Sequence, residues 1–98
     1  MRAPHRIAEV LAAAETQTPY GGASTTYETL GWTWVAMAPR GSRGAEQDAT
    51  VETALAETRV DPRLTAGRRL RVSGVDWRIA AADEIAGGRV RLKLERSR

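Results

Sequence analysis

The 98-residue sequence has no cysteine and no phenylalanine, and it contains one histidine and one lysine. The lack of cysteine excludes disulfides, thiolate metal ligands and thiol nucleophiles. No apolar run reaches the roughly 18 residues that a membrane-spanning helix requires, so we expect no membrane segment. A chain of this length is expected to form one domain, 1–98, whose thin stability margin makes oligomerisation a natural source of additional buried surface.

The sequence also lacks any pattern typical of a catalytic or cofactor site. Its one histidine, His5, lies near a terminus, which is a poor frame for catalytic geometry. Asp83 and Glu84 are adjacent, so their side chains diverge on a strand and are solvated in a turn. The glycines form neither a GxGxxG nor a GxxxxGK motif. We therefore expect no enzyme activity, no catalytic residues, no metal, no cofactor and no membrane partner.

Charge is distributed unevenly along the chain, although the net charge is only +3. Residues 1–58 carry 4 basic and 7 acidic side chains, a net charge of −3, whereas residues 59–98 carry 11 basic and 5 acidic side chains, a net charge of +6. Such asymmetry is typical of proteins that contact phosphates or an acidic partner. A genome that favours arginine over lysine explains the same composition equally well.

Turn residues recur every eight to twelve residues, which favours short strands over helices. Three C-terminal segments, RLRVSG, VDWRIA and RVRLKLER, alternate apolar and charged side chains with the period of half-buried strands. The Ser73-Gly74 and Gly87-Gly88 pairs are suited to the turns between them, which predicts an antiparallel meander. Upstream, TVETALAETRV, TTYETL and WTWVAMA are interpreted as three more strands, the last two joined near Gly31.

The N-terminal segment is ambiguous between helix and strand. Ile7, Val10, Leu11 and Ala14 follow helical spacing, and the alanines between them are strong helix formers. The strand pattern of the remaining chain favours a strand instead. Glu9 interrupts the apolar stretch, so we interpret the segment as mature sequence and not as a signal peptide.

The aromatic residues are concentrated between Pro19 and Gly41, and alternation places Trp32 and Trp34 opposite Val35 and Met37. A Trp pair can form a base-stacking platform, but Trp32 to Ala38 carry no charge, unlike typical single-strand binding surfaces. We therefore predict a core or subunit-interface role for Trp34; if the side chain is buried, replacing it with alanine would unfold the protomer. The predicted core or interface residues are Trp34, Met37, Trp77, Ile79 and Leu92.

Two arginine-rich features are candidate contacts with nucleic acid. The strand alternation aligns Arg69, Arg71, Arg78, Arg89 and Arg91 on polar strand faces. This basic strand face is either a phosphate-binding surface or, as we favour, a solvated face that prevents incorrect edge pairing. The second feature is the polar segment RGSRGAEQDAT, which predicts an exposed loop at about residues 40–50 carrying Arg40 and Arg43.

The ordered set of segments resembles the head-closure, or stopper, family of tailed bacteriophages, also called head–tail adaptor or head–tail joining proteins. The segments that carry the resemblance are ETQTPYGG, YETLGWTWVAMAP and RVDPRLTAGRRLRVSGVDWRI, and it extends over about residues 8–96. Trp34, Met37 and Pro39 fall on typical positions of the family, whereas Tyr20 stands where Asp is common and Val35 where Ala is usual. The resemblance implies an all-β fold, a small antiparallel β-barrel or sandwich of about six to seven strands with one long loop, and a strand near residues 8–14.

The resemblance also implies a function. The implied function is that of a structural virion protein of the neck. Its copies would form a homo-oligomeric, usually hexameric, ring below the portal-bound adaptor protein. The ring would close the DNA-filled head and present a docking surface to the tail terminator protein. Arg40 and Arg43 would then lie near packaged DNA in the channel. The particle would assemble in the bacterial cytoplasm, and its source would be a phage, a prophage or a gene transfer agent. The alternative is a free small-barrel nucleic-acid-binding protein.

Overall fold

The fold, taken from a computed structural model that describes residues 5–43 and 51–97, consists of six antiparallel strands. They are β1 (His5–Gln17), β2 (Ala23–Arg43), β3 (Val51–Arg59), β4 (Arg69–Val72), β5 (Val75–Ile85) and β6 (Arg89–Ser97). The strands close into a barrel in the order β1-β2-β3-β6-β5-β4. The predicted all-β class and the predicted strand number are confirmed.

The ambiguous N-terminal segment is a strand, as the family resemblance implies. Pairing with β2 on one side and with β4 on the other supplies its backbone hydrogen bonds, and Ala8 and Val10 are fully buried. These tertiary contacts outweigh the local helix propensity of the alanines, which is a weak preference in any context. The predicted C-terminal meander is also present, because β5 pairs with both β4 and β6.

The core lies inside the barrel, where alternate residues of all six strands meet. Its largest fully buried side chains are Leu70, Ile79, Leu92, Leu94, Val10 and Val35. Trp77 is the one tryptophan of this cluster, and Leu64 joins it from the loop between β3 and β4. Four of the residues predicted for the core or an interface are buried here: Met37, Trp77, Ile79 and Leu92.

The two strands predicted on either side of Gly31 are one continuous strand, because a β-bulge replaces the expected break. Val10 pairs with Gly31 and Leu11 with Thr29, so Leu30 is the extra residue of β2. Gly31 has a φ of +152°, and a Cβ atom added there would clash with the Arg63 guanidinium. A glycine at this position therefore lets the arginine approach the backbone and lets β2 bend without ending.

The predicted loop at residues 40–50 begins later than expected. β2 continues to Arg43, and Gly41, Ser42 and Arg43 pair with the first residues of β3. Residues 44–50, and the side chains of Arg40 and Arg43, lie outside the described part of the structure. A polar, glycine-rich composition does not prevent strand pairing at the end of a hairpin, which explains the difference in the starting residue.

Candidate functional site

The described residues contain little that could support catalysis. No group of three or more His, Cys, Asp or Glu side chains within residues 5–43 and 51–97 is placed to hold a metal ion. Asp83 and Glu84 are both exposed on β5, where successive side chains point to opposite faces. No helix in these ranges is long and apolar enough to cross a membrane.

The basic strand face is an ion-paired surface. Register places Arg71 opposite Asp76, Arg78 opposite Glu95 and Arg91 opposite Glu57 on adjacent strands. The corresponding nitrogen–oxygen distances are 2.6, 2.8 and 3.1 Å. The two remaining arginines of the face also have a carboxylate within reach: Arg69 lies 3.7 Å from Asp76, and Arg89 lies 3.8 Å from Glu57.

The sequence placed these arginines on a common surface, but it did not reveal their partners. Each carboxylate is in a different strand from the arginines it pairs with, so the pairing depends on register, which alternation alone does not give. Hydrogen bonds from Arg71 hold the pKa of the Asp76 carboxyl below its usual value. The result is a surface of mixed charge, which is less suited to a phosphate backbone than a set of unpaired arginines.

Trp34 does not belong to the core, so the core interpretation of this residue is wrong. Trp34 is 62% exposed, and Trp32 is 58% exposed. Val35 and Met37 occupy the inner face of the same strand, and the period of two therefore directs both tryptophans outward. Ile7, paired with Trp34 across β1 and β2, is also exposed and extends the apolar surface. The interface interpretation of Trp34 stays a prediction.

The two tryptophans line an open groove on the outside of the barrel. β2 and β3 pair only up to Ala36 and Glu57, and beyond this point the Thr58 hydroxyl donates a hydrogen bond of 2.6 Å to the Trp34 carbonyl. The Thr58 side chain thus replaces the interstrand backbone bonds and leaves a cleft above it. We call this cleft the Trp groove; it is lined by His5, Trp32, Thr33, Trp34, Glu57, Thr58, Arg59 and Arg89.

The Trp groove combines apolar walls with positive charge. Glu57, its one carboxylate, is already engaged by Arg89 and by Arg91. Arg59 is exposed at the end of β3, and in the described part of the chain no carboxylate lies within 4.0 Å of it. The groove therefore presents exposed indole rings next to an arginine that has no counter-ion within residues 5–43 and 51–97.

The second feature is a projecting hairpin, which we call the β1–β2 arm and define as residues 12–28. β4 pairs with β1 only from Ala8 to Leu11. Ala12 to Gln17 therefore pair with Ala23 to Glu28 and have no other neighbouring strand in the described part of the chain. Six residues of strand extend about 20 Å at a rise of about 3.3 Å per residue. The arm ends in a turn at Thr18–Gly22, where the Tyr20 side chain is 97% exposed.

The composition of the arm suits contact with another molecule more than an independent fold. It carries Glu15 and Glu28 as its only charged side chains, and it is otherwise rich in alanine and threonine. Isolated two-stranded hairpins are marginally stable, because neither face is covered. At the base of the arm, the Arg69 guanidinium lies 3.9 Å from the centre of the Tyr27 ring, which anchors the hairpin to the barrel.

A third contact fixes the bulge between the arm and the groove. Arg63 forms an ion pair of 2.6 Å with Asp61 and donates hydrogen bonds to the carbonyls of Leu30 and Trp32 on the two sides of Gly31. The hydrogen bond from Arg63 lowers the pKa of the Asp61 carboxyl. Sequence reasoning missed this contact and the arm, although the bulge glycine and the alanine- and threonine-rich strand pair were signals for them.

Comparison with solved structures shows a likeness in fold. The chain is similar to a chain of a solved structure described as "Virion of native gene transfer agent (GTA) particle", with a TM-score of 0.72 and 16% sequence identity over 95% of this chain and 94% of that chain. No protein-family model matches the sequence, and a search of curated proteins finds no match. At this identity, the likeness shows that the two chains share a fold over nearly their whole lengths.

Proposed function

We propose that the protein is a structural component of a phage-type virion or gene transfer agent particle, and that it acts at the head–tail connector. The observation that carries the proposal is the likeness to a chain of a gene transfer agent virion over 95% of this chain. The head-closure motifs of the sequence support the finer assignment to the neck, and those motifs run in order through the same barrel. Exposed tryptophans and an uncovered arm are features that an assembly protein needs and an isolated barrel does not.

In this role the protein is a structural element of the particle and does not act as a catalyst. Copies form a ring, usually of six, below the portal-bound adaptor protein and above the tail terminator protein, and the ring closes the DNA-filled head. Ring formation adds buried surface to a small barrel, whose core relies heavily on alanine and valine. The β2–β3 hairpin that contains residues 40–50 would project toward the channel.

The arginines of that hairpin are the proposed contacts with packaged DNA. Arg40 and Arg43 would neutralise phosphates near the axis, and such contacts contribute affinity without reading sequence. Replacing both with alanine should lower DNA retention in particles that still contain the protein. Arg78→Ala is the matched control, since it removes an arginine that is paired with Glu95 on the barrel surface. Equal DNA retention by the double variant and by the control would overturn this part of the proposal.

The location itself is tested on particles. Deleting the gene should give DNA-filled heads that lack tails or lose their DNA, and electron cryomicroscopy of complemented particles should show barrel density in the neck below the portal. Intact tailed particles in the deletion strain, or density for this chain elsewhere in the particle, would refute the neck assignment. Density elsewhere in the virion would still leave a structural virion role in place.

The free nucleic-acid-binding alternative predicts measurable DNA affinity of the isolated protein, decreasing steeply with salt. The ion pairs of the basic strand face argue against it, because the five arginines already have carboxylate partners. We expect little binding of a fluorescent duplex or single strand at 150 mM salt. Tight, salt-dependent binding by the isolated chain would favour the alternative.

A further inference from the structure

We infer that copies of this protein assemble through the β1–β2 arm of one copy and the Trp groove of the next. The two surfaces lie in the same chain, and within the described residues neither has an internal partner. The inference deepens the proposed ring and names the contact that would hold it together; it rests on that proposal only for the closure of the ring.

Charge complementarity selects a second copy as the occupant of the groove. The arm carries Glu15 and Glu28 and no basic side chain. The groove carries Arg59, which has no counter-ion among the described residues, and Arg89, which shares Glu57 with Arg91. An acidic, extended segment with an aromatic tip is therefore the ligand that the groove fits, and this chain contains one.

Apolar complementarity also favours a second copy as the occupant of the groove. The tip of the arm exposes the Tyr20 ring almost completely, and Pro19 precedes it. The groove exposes more than half of each of its two tryptophans. Contact between the tip and the indole rings would bury aromatic surface on both sides, and aromatic pairs add stabilisation beyond the area that they bury.

The geometry excludes docking within one chain. The arm and the groove are parts of the same strand, β2, and Ala23 lies nine residues from Trp32 along it. At about 3.3 Å per residue, the tip is held about 30 Å from the groove of its own copy. The bulge at Gly31 does not reverse the strand, since β2 stays paired with β1 on both sides of it.

The resulting contact is head-to-tail. The arm of each copy occupies the groove of a neighbour and leaves its own groove free for a third copy. Such heterologous contacts generate a ring when the rotation between copies closes, and an open filament when it does not. The contact thus provides what the proposed neck ring requires, from two surfaces that differ in charge.

Cross-linking tests the contact in the full chain, and the lack of native cysteine makes the test clean. Gln17→Cys places a thiol on the arm, His5→Cys places one on the rim of the groove, and Lys93→Cys places one on the ion-paired outer face as a control. The arm and groove variants are mixed at about 1 mM and treated with a short bis-maleimide. We expect a heterodimer of the two at least tenfold more abundant than the product of the arm variant with the control.

Charge exchange provides a readout that a purely structural role would not produce. The Glu15→Lys/Glu28→Lys variant and the Arg59→Glu variant should each self-associate at least tenfold more weakly than the original chain in sedimentation equilibrium. Mixing them should restore association, because each copy then supplies the charge that the other lacks. Asp83→Lys/Glu84→Lys is the matched control on exposed β5 positions and should leave association unchanged.

The inference is overturned if the arm variant cross-links to the control as well as to the groove variant, if it cross-links to neither, or if mixing the charge variants gives no recovery. A chain that stays monomeric at 1 mM gives no cross-link and counts against it. These outcomes are separate from those for the neck assignment. If the protein is found in the neck but does not form this cross-link, the proposed function stands and the contact is refuted. If the cross-link forms but the protein is absent from the particle, only the contact between copies is supported.

Discussion

Replacing Trp77 and Trp34 separately with alanine compares a core tryptophan with a surface tryptophan in one small protein. Trp77 is 6% exposed inside the barrel, and Trp34 is 62% exposed on its outside. Truncating a buried tryptophan removes its transfer free energy and leaves a cavity, which together cost about 3–5 kcal/mol. That cost is a large fraction of the total stability of a domain of this size.

The cost of Trp34→Ala follows from the smaller buried area. A tryptophan buries at most about 250 Å² in a core, so Trp34, which is less than half buried, covers at most about 100 Å². At about 25 cal/mol per Å², this area corresponds to about 2.5 kcal/mol as an upper limit, because the unfolded chain already hides part of the same surface. We therefore expect Trp34→Ala to cost less than Trp77→Ala, because this limit lies below the cost of about 3–5 kcal/mol expected for the buried tryptophan.

The assays are urea unfolding and thermal unfolding, each followed by far-UV circular dichroism at low micromolar concentration, where any association between copies would contribute least. Trp77→Ala should lower the melting temperature by more than about 10 °C. Trp34→Ala should retain most of the stability but lose the rise in melting temperature that the proposed association predicts for the original protein at high concentration. Equal destabilisation by the two changes would refute the placement of Trp34 outside the core, and a well-tolerated Trp77→Ala would refute the core itself.

Two further predictions concern the bulge and the acid limit of stability. Gly31→Ala should destabilise the protein by about 1–3 kcal/mol in urea unfolding. The loss should exceed that of Gly67→Ala, because Gly67 also has a positive φ but has open space around it. The difference between the two substitutions should disappear in an Arg63→Ala background, and equal losses in the original background would show that the guanidinium does not matter. The lowered pKa values of Asp61 and Asp76 mean that their contribution to stability is complete above the unfolded value near 3.8 and is lost as pH falls through the folded values. Urea titrations from pH 7 to pH 2 should therefore show the advantage of the original chain over Asp61→Asn shrinking below about pH 4; an advantage that is independent of pH would contradict the ion pair.

The barrel strands were predictable because alternation and turn residues act locally. β4, β5 and β6 follow directly from RLRVSG, VDWRIA and RVRLKLER, and the turns at Gly74 and Gly88 have the positive φ angles that tight hairpins require. The sequence was less informative about which face of a strand points into the barrel. Alternation separates Trp34 from Met37, but it does not reveal which of the two faces is inside.

Large aromatic side chains bias that choice toward burial, and here the bias misled the prediction. The inner face of β2 carries Val35 and Met37, which fit the narrow barrel, and the tryptophans are left outside. The ion pairs were not predictable either, since Glu57 and Arg91 are 34 residues apart and meet only through the register of β3 and β6. Register depends on the closed barrel as a whole, whereas alternation depends only on neighbouring residues.

The bulge at Gly31 connects the two surfaces that assembly would use. From its N-terminal end, β2 forms one half of the arm, then passes the Trp groove and lines the core with Val35 and Met37. In a strand without a bulge, the side chains that face the core and alternate side chains of the arm would lie on one face. The extra residue at Leu30 interrupts this alternation and changes the twist of the strand where the arm leaves the barrel. Arg63 bonds to the carbonyls on both sides of Gly31, and Asp61 holds Arg63 in turn. We therefore expect the Arg63 contact to influence the angle between the arm and the groove, and in the proposed assembly this angle would determine whether successive copies close into a ring or continue as a filament.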